Sequence, residues 1–296
     1  MPTPLEPWKK EIRGTYVIRD SEKELSRLTI HGRLMTAIMG GVLSEQPDPT
    51  VFRRVLDVAC GPGGWVIETA KTYPTMSLVG IDINKEMIKY ARAQAEADQI
   101  HDRVEFHAMD ALLVLEFPPA SFDLVNLRLG FGFLRTWDWP KMLSELLRVT
   151  RPGGVIRVTE PDIIPQSNSP ALTRLFEMSL CALGRAGHLF TQGSTGVIDH
   201  LARLLNQYGC QQVQTKAYAR EYRAGTVEGE AFCEDWTLMF QTLRPFIQKW
   251  GCASKDYEVI YQRAVHEMHQ PDFLATINLL TAWGSKPKPK PKQSQQ

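Results

Sequence analysis

Apolar positions along this chain fall into two spacings that take turns. Leu25, Leu28, Leu34, Met35, Ile38, Met39 and Val42 recur at helical intervals behind Ser21-Glu-Lys-Glu24, which has the form of a capping box. The spacing predicts one or two amphipathic helices over 21–44, closed by Pro47 and Pro49. Short apolar runs follow at 54–59, 77–83, 104–108, 122–127 and 154–160. Helical patterns at 64–72, 84–97 (with Asn84 as N-cap) and 140–149 lie between them. Buried strands linked by helices predict a parallel sheet covered on both faces. The alternation breaks at 166–208, a helical stretch interrupted by Gly184, Gly187 and Gln192–Gly196. Strands are expected again at 212–222 and 273–283, and helices at 230–250 and 256–269. Residues 1–15 read as loose, and the Lys-Pro repeat within Ser285–Gln296 as a disordered tail.

Composition narrows the classes. The 296 residues include 34 Lys plus Arg against 33 Asp plus Glu, a net charge of +1. Lysines 286, 288, 290 and 292 lie in the tail, so the body is slightly acidic. That balance argues against nucleic acid or an anionic membrane as the partner. The five cysteines (60, 181, 210, 233, 252) are scattered, odd in number and free of C-x-x-C, which predicts neither a disulfide framework nor a zinc site and fits the reducing cytoplasm. No apolar run reaches membrane-spanning length and the first residues do not form a signal peptide.

The chemistry concentrates in Val55-Leu-Asp-Val-Ala-Cys-Gly-Pro-Gly-Gly64: a strand ends, the chain turns on glycines and a helix begins. Glycines let a ligand approach the backbone, and the helix start offers free N–H groups. A dinucleotide site asks for G-x-G-x-x-G, but Val66 stands where the third glycine belongs. Asp57 inside the strand end suits an amino-acid-bearing ligand, whose ammonium it can hold directly or through water. Asp82 ends the second strand, where an acid can accept from both ribose hydroxyls. Asp110 follows the third strand, where an acid can accept from an adenine amino group.

L-D-V-x-C-G-x-G, G-I-D at the second strand, the acid at 110, F-D-L-V and R-x-x-R-P-G-G follow one another over residues 51–160. In this order they resemble the Rossmann-like (class I) S-adenosylmethionine-dependent methyltransferases, in particular the small-molecule type of ubiquinone and menaquinone biosynthesis and natural-product pathways. Ala59 departs from the family's usual glycine. The resemblance implies a seven-stranded, mostly parallel sheet with an antiparallel last strand, helices on both faces, an N-terminal helical lid and a helical insertion after strand five. It implies S-adenosylmethionine as cofactor, bound by Tyr16, Asp57, Ala59, Gly61, Gly63, Asp82, Ile83, Met87, Asp110, Ala111 and Asn126. The stretch Tyr16…Glu24…Arg27-Leu28…His31 is similar to the lid of such enzymes.

Methyl transfer from a sulfonium is an in-line displacement that mainly needs alignment and exclusion of water. Acceptor contacts are expected from Arg128, Phe131 and Asp162 at the ends of strands four and five. Glu160 or Asp162 at the end of strand five, and His188 in the insertion, are the base candidates. Trp137, Trp139, Phe131 and Phe133 are aromatics for an apolar pocket or for core. His266 and His269 have metal-ligand spacing but no third partner, so no metal is expected. The segments read as lid (1–50), cofactor core (51–164), substrate insertion (165–210), sheet completion (211–285) and tail (286–296). The expected activity is methylation of O, N or C on a small acceptor, with no nucleic acid or membrane partner; an exposed insertion is compatible with a homodimer. The competing readings are a methyltransferase acting on protein, a non-catalytic S-adenosylmethionine-binding regulator and an NAD enzyme.

Overall fold

The computed structural model describes residues 16, 22–191, 193 and 195–289. The capping Ser21, the segment 1–15 and residues 290–296 lie outside them. The elements are α1 (Glu22–Met39), β1 (Arg54–Val58), α2 (Gly64–Thr72), β2 (Ser77–Asp82), α3 (Lys85–Ala97), β3 (Val104–Ala108), β4 (Phe122–Arg128), α4 (Trp139–Val149) and β5 (Thr150–Pro161). They continue with β6 (Gln166–Ser167), α5 (Pro170–Ala186), α6 (Leu201–Gln207), β7 (Gln211–Arg223), α7 (Val227–Lys249), α8 (Tyr257–Met268) and β8 (Leu274–Ser285).

The sheet runs β3-β2-β1-β4-β5-β8, with β7 on the far side of β8. Strands β1 to β5 pair in parallel, and β8 lies antiparallel to both β5 and β7. This is the expected seven-strand order with one addition. The two-residue β6 continues the line of β5 along β8, pairing Gln166 with Thr276. Strand periodicity sorts the apolar residues. Val55, Leu78 and Leu124 face α2 and α3; their neighbours Leu56, Val79 and Val125 face α4 and α6. A third cluster joins α1, α5, α7 and α8 with Ala275, Ile277 and Leu279 of β8. The wide moment of α4 follows from Met142, Leu143, Leu146 and Val149, all buried on one stripe.

The helical pattern over 21–44 stops at Met39 because Gly40 and Gly41 take positive φ. Gly184 does not interrupt α5, which ends at Ala186 with Gly187 as a left-handed cap (φ +86°). Gly153 takes the positive φ (+77°) expected of the R-P-G-G turn.

Two expectations are corrected. The tail does not begin at residue 286: Lys286 Nζ donates to the carbonyls of Leu147 and Thr150 at 2.7 and 2.8 Å, and its own carbonyl accepts from Gly153. Composition missed this because the lysine serves the open end of α4, where a cation meets unpaired carbonyls. Cys181 and Cys252 form a disulfide between α5 and the α7–α8 turn, their Cα atoms 5.9 Å apart. They lie 71 residues apart in sequence, which spacing rules cannot connect, and the cysteine argument for a reducing compartment falls with this pair. Among the described residues no helix is long and apolar enough to cross a membrane, and no group of three ligating side chains could hold a metal.

Arg157 in mid-β5 has no exposure at all, yet it is charged. Its Nε donates to Glu45 Oε1 at 2.7 Å and its Nη1 to Asn126 Oδ1 at 2.6 Å. Burial pushes the Glu45 pKa up, but Arg157 outweighs it and the carboxyl stays below the usual range. Glu45→Ala, which strands Arg157, should cost about 3–5 kcal/mol in urea denaturation; replacing both partners by apolar residues of similar volume should cost much less.

Candidate functional site

Reversal of strand order at β1 and β4 opens a crevice at their carboxyl ends. A cavity of about 730 Å³ occupies it and continues beneath the helical layer. Ala59, Gly61, Asp82, Ile83, Met87, Asp110 and Ala111 line one part. Arg128, Phe131, Phe133 and Asp162 line the middle. Leu28, His31 and Met35 of α1, Phe176 and Leu183 of α5, and Trp236, Met239 and Leu243 of α7 enclose the rest with Tyr16.

The glycine turn is built as its sequence dictates. Gly61 (φ +54°) faces open space, with only Leu28 Cδ1 at 4.0 Å from where a side chain would begin. At Gly63 (φ +80°) a Cβ would stand 2.7 Å from Phe106 and 2.8 Å from Ala91, so glycine here lets α2 pack on the sheet. Ala59 also takes the left-handed region (φ +56°), which explains the family's usual glycine there. The Asp82 carboxylate accepts from the Gly61 and Asn84 N–H groups, both at 2.9 Å, and so ties the turn to β2. Asn84 caps α3 by accepting from Glu86 and Met87. Asp110 Oδ1 accepts from Leu112 N–H at 2.8 Å, which shapes the loop that carries Ala111.

Asp57 and Asn126 do not reach the cavity wall. Asn126 is fully buried and donates to Asp57 Oδ1 at 2.7 Å. Asp57 Oδ2 is buried with no hydrogen-bond partner among the described residues. Burial raises the Asp57 pKa to about 6, against the opposing pull of Arg128 and the Asn126 hydrogen bond. Arg128 lines the cavity, its guanidinium 5.8 Å from the Trp65 ring centre; withdrawal from water lowers its pKa. Asp162 Oδ2 accepts from Asn278 at 3.1 Å, while Arg128 Nε and Asp162 Oδ1 are buried without a partner among the described residues.

Of the base candidates, Glu160 and His188 stand elsewhere than expected. Glu160 is fully buried and accepts from the Gly130 and Phe131 N–H groups at 2.7 and 3.2 Å. His188 Nδ1 lies 2.8 Å from the Phe131 carbonyl, to which it donates. Both hold the turn Leu129–Phe133 from behind, and neither faces the cavity. The turn needs holding because Leu129 sits at φ +58°. Burial raises the Glu160 pKa from 4.5 to about 8 and lowers that of His188. Among the aromatics, Phe131 and Phe133 line the cavity, Trp139 is core and Trp137 is 61% exposed. His266 and His269 bond only to neighbours on their own helix and to Gln270. The helix expected at 230–250 is α7, but sequence reasoning singled out none of its cavity-side residues: Asp235, Trp236, Met239 and Leu243 carried no signal beyond helical periodicity.

Three comparisons agree with this geometry. The family described as "Methyltransferase domain" matches residues 55–154. The chain is 33% identical over 179 residues to a demethylmenaquinone methyltransferase of Deinococcus radiodurans, covering 59% of this chain and 71% of that one. It is 30% identical over 162 residues to the protein-methionine methyltransferase laeA of Emericella nidulans, spanning 54% of this chain but only 40% of that protein. Among solved structures, Haemonchus contortus phosphoethanolamine N-methyltransferase 2 in complex with S-adenosyl-L-methionine superposes with a TM-score of 0.52 at 17% identity, covering 91% of this chain and 61% of that one.

Two predictions follow from the backbone and from Glu160. Ala59→Gly should stabilise the protein by about 0.5–1 kcal/mol in urea denaturation, because relief of left-handed strain exceeds the added chain entropy. For Glu160, a raised folded pKa means that the native state holds the proton more tightly than the unfolded chain. Its stabilising contribution is therefore full below pH 4.5 and is lost as pH rises to about 8. Glu160→Gln should flatten that part of the stability–pH curve, and an unchanged slope would assign the titration to another group.

Proposed function

The chain belongs to the class I S-adenosylmethionine-dependent methyltransferases, and from that premise we propose that it methylates a small, largely apolar acceptor inside the 730 Å³ cavity. S-adenosylmethionine is the methyl donor and supplies an electrophilic methyl group when bound. The observation that carries the proposal is continuity: one cavity runs from the glycine turn to a chamber walled by α1, α5 and α7.

The residues present fit the donor. Gly61 leaves its side open, and the orphaned Asp57 Oδ2 beneath the turn is an acceptor in need of a cation, direct or through water. In this reading Asp57 and the Gly61–Gly63 backbone hold the amino-acid end, Asp82 the ribose and Asp110 the adenine. Ile83, Met87 and Ala111 form the apolar bed, and Ala59 keeps the floor low. Asn126 orients Asp57 rather than touching the donor. Tyr16 closes the site from the N-terminal side. Phe131 packs on the acceptor, while Arg128 and Asp162 offer it a cation and an anion. Glu160 and His188 act through the Leu129–Phe133 turn that positions Phe131. The segments 1–50 and 165–210 would then serve as lid and substrate insertion around the core at 51–164. A small acceptor is favoured over a protein side chain because α1 and α7 roof the chamber.

The chain's contribution to rate is orientation and dryness, together worth about 7–11 kcal/mol in well-aligned systems. Calorimetric titration with S-adenosylmethionine, S-adenosylhomocysteine and NAD tests the reading. The first two should bind and Asp82→Ala should weaken both at least tenfold, about 1.4 kcal/mol. Binding of NAD alone would overturn the assignment; unchanged affinity in the variant would remove Asp82 from the site.

A further inference from the structure

Of the bases the sequence nominated, Glu160 and His188 face the Leu129–Phe133 turn, and Asp162 in the cavity wall accepts from Asn278. A different pair stands in that wall. His31 of α1 lines the cavity, and its Nδ1 lies 2.7 Å from Asp235 Oδ2 of α7. A carboxylate can only accept here, so Nδ1 carries the hydrogen and Nε2, across the ring, keeps its lone pair. The Asp235 side chain is fully buried, and that of His31 is 12% exposed. Resting on the methyltransferase reading, we propose that His31 is the general base of this enzyme, positioned by Asp235, and that the acceptor carries an acidic hydroxyl of the phenol, enol or hydroquinol class.

The pair is tied into a larger network of side chains. Asp235 Oδ1 accepts from Arg27 Nη1 at 3.3 Å, and Arg27 Nε and Nη2 donate to the two oxygens of Glu24 at 2.8 and 2.7 Å. Tyr16 donates to Glu24 at 2.8 Å. The ionisable groups around the pair are thus Glu24 and Arg27 on α1, Asp235 on α7, Tyr16, and Tyr222 of β7, whose pKa responds to Asp235. Glu24, Arg27 and Asp235 thus form one buried group of charged side chains, and His31 stands at its cavity end. Trp236 stands edge-on to the His31 ring with centroids 6.2 Å apart and limits its rotation. An orienting carboxylate of this kind holds the tautomer and stabilises the imidazolium that forms.

The step balances without any further reactant. The acceptor O–H bond breaks and its proton moves to Nε2. The oxygen's electron pair forms the O–CH₃ bond as the methyl–sulfur bond breaks, its pair leaving with sulfur. The proton passes from His31 to water when product departs. A positioned base of this type contributes on the order of 10²–10⁴-fold.

The test uses the full chain saturated with S-adenosylhomocysteine and 4-nitrophenol as a chromophoric acceptor mimic. The pH is held one unit below the phenol's solution pKa, where about a tenth of the free probe is ionised. Bound probe should show at least about fivefold more nitrophenolate absorbance than free probe. His31→Gln should abolish that excess, and Asp235→Asn should reduce it. Nitrogen-15 NMR of the unsubstituted protein should show His31 protonated at Nδ1 and bare at Nε2, which keeps the proposal testable if either variant folds poorly. Probe that binds but stays neutral, equal ionisation in His31→Gln, the opposite tautomer, or S-adenosylhomocysteine binding without probe binding would each overturn the base assignment alone. Failure to bind S-adenosylhomocysteine would instead overturn the methyltransferase reading on which it rests.

Discussion

A line of buried hydrogen bonds from Asp57 through Asn126 and Arg157 to Glu45 fixes the cofactor end of this fold. It crosses β1, β4 and β5 in turn and ends in the connection before β1, so it sets the relative heights of the strands whose carboxyl ends form the crevice. Each member has a partner that it cannot replace with water, and loss of any one leaves polar atoms stranded in a dry core. Within this line one oxygen, Asp57 Oδ2, has no hydrogen-bond partner among the described residues. On the proposed reading it is an acceptor for a ligand group at the turn's base, in a carboxyl whose pKa burial raises to about 6.

The far side of the cavity depends on a second charged group with a different logic. Glu24, Arg27, Asp235 and His31 join α1 to α7, and Tyr16 closes the group. Apolar packing of Leu34, Met35 and Ile38 against α5, α7 and α8 would hold α1 in place without them. The charges instead fix which face of α1 meets the cavity, because a helix sliding on a smooth apolar surface has many near-equal positions whereas a bidentate guanidinium has few. On the proposed reading, the helix that walls the cavity and the base that acts in it share the same side chains.

The sheet was legible because its signals are local: strand periodicity, glycine turns and caps act within a few residues. Asp123 shows how the motifs lock together. Its carboxylate accepts from the Arg53 and Arg54 N–H groups at 2.7 Å and pairs with Arg151, so F-D-L-V and R-P-G-G are two halves of one contact. The cavity-lining Gly61, Asp82 and Asp110 were legible for the same reason. What escaped depends on distance in sequence. His31 and Asp235 are 204 residues apart, and Cys181 and Cys252 are 71 apart. No period or motif relates such positions, and only packing of α1, α5 and α7 makes them neighbours. Glu160 was visible as an ionisable residue at a strand end and His188 as one in the helical insertion, but periodicity does not say whether a side chain faces the cavity or the turn beside it.

The placement of those two residues accounts for the shape of the chamber. Leu129 in a left-handed conformation turns the chain sharply enough to bring Phe131 and Phe133 into the cavity. Such a turn is unstable by itself, at about 1–3 kcal/mol for a strained residue. Glu160 satisfies its amides and His188 its carbonyl, so no water is needed to complete the turn's hydrogen bonds. A displacement at a methyl group competes with water for the same electrophile, so a wall solvated from behind would admit the competitor. Polar groups are therefore spent on the outer side of the turn, which leaves the inner side aromatic, and His31 stands across the cavity as a polar exception with its own buried counter-charge.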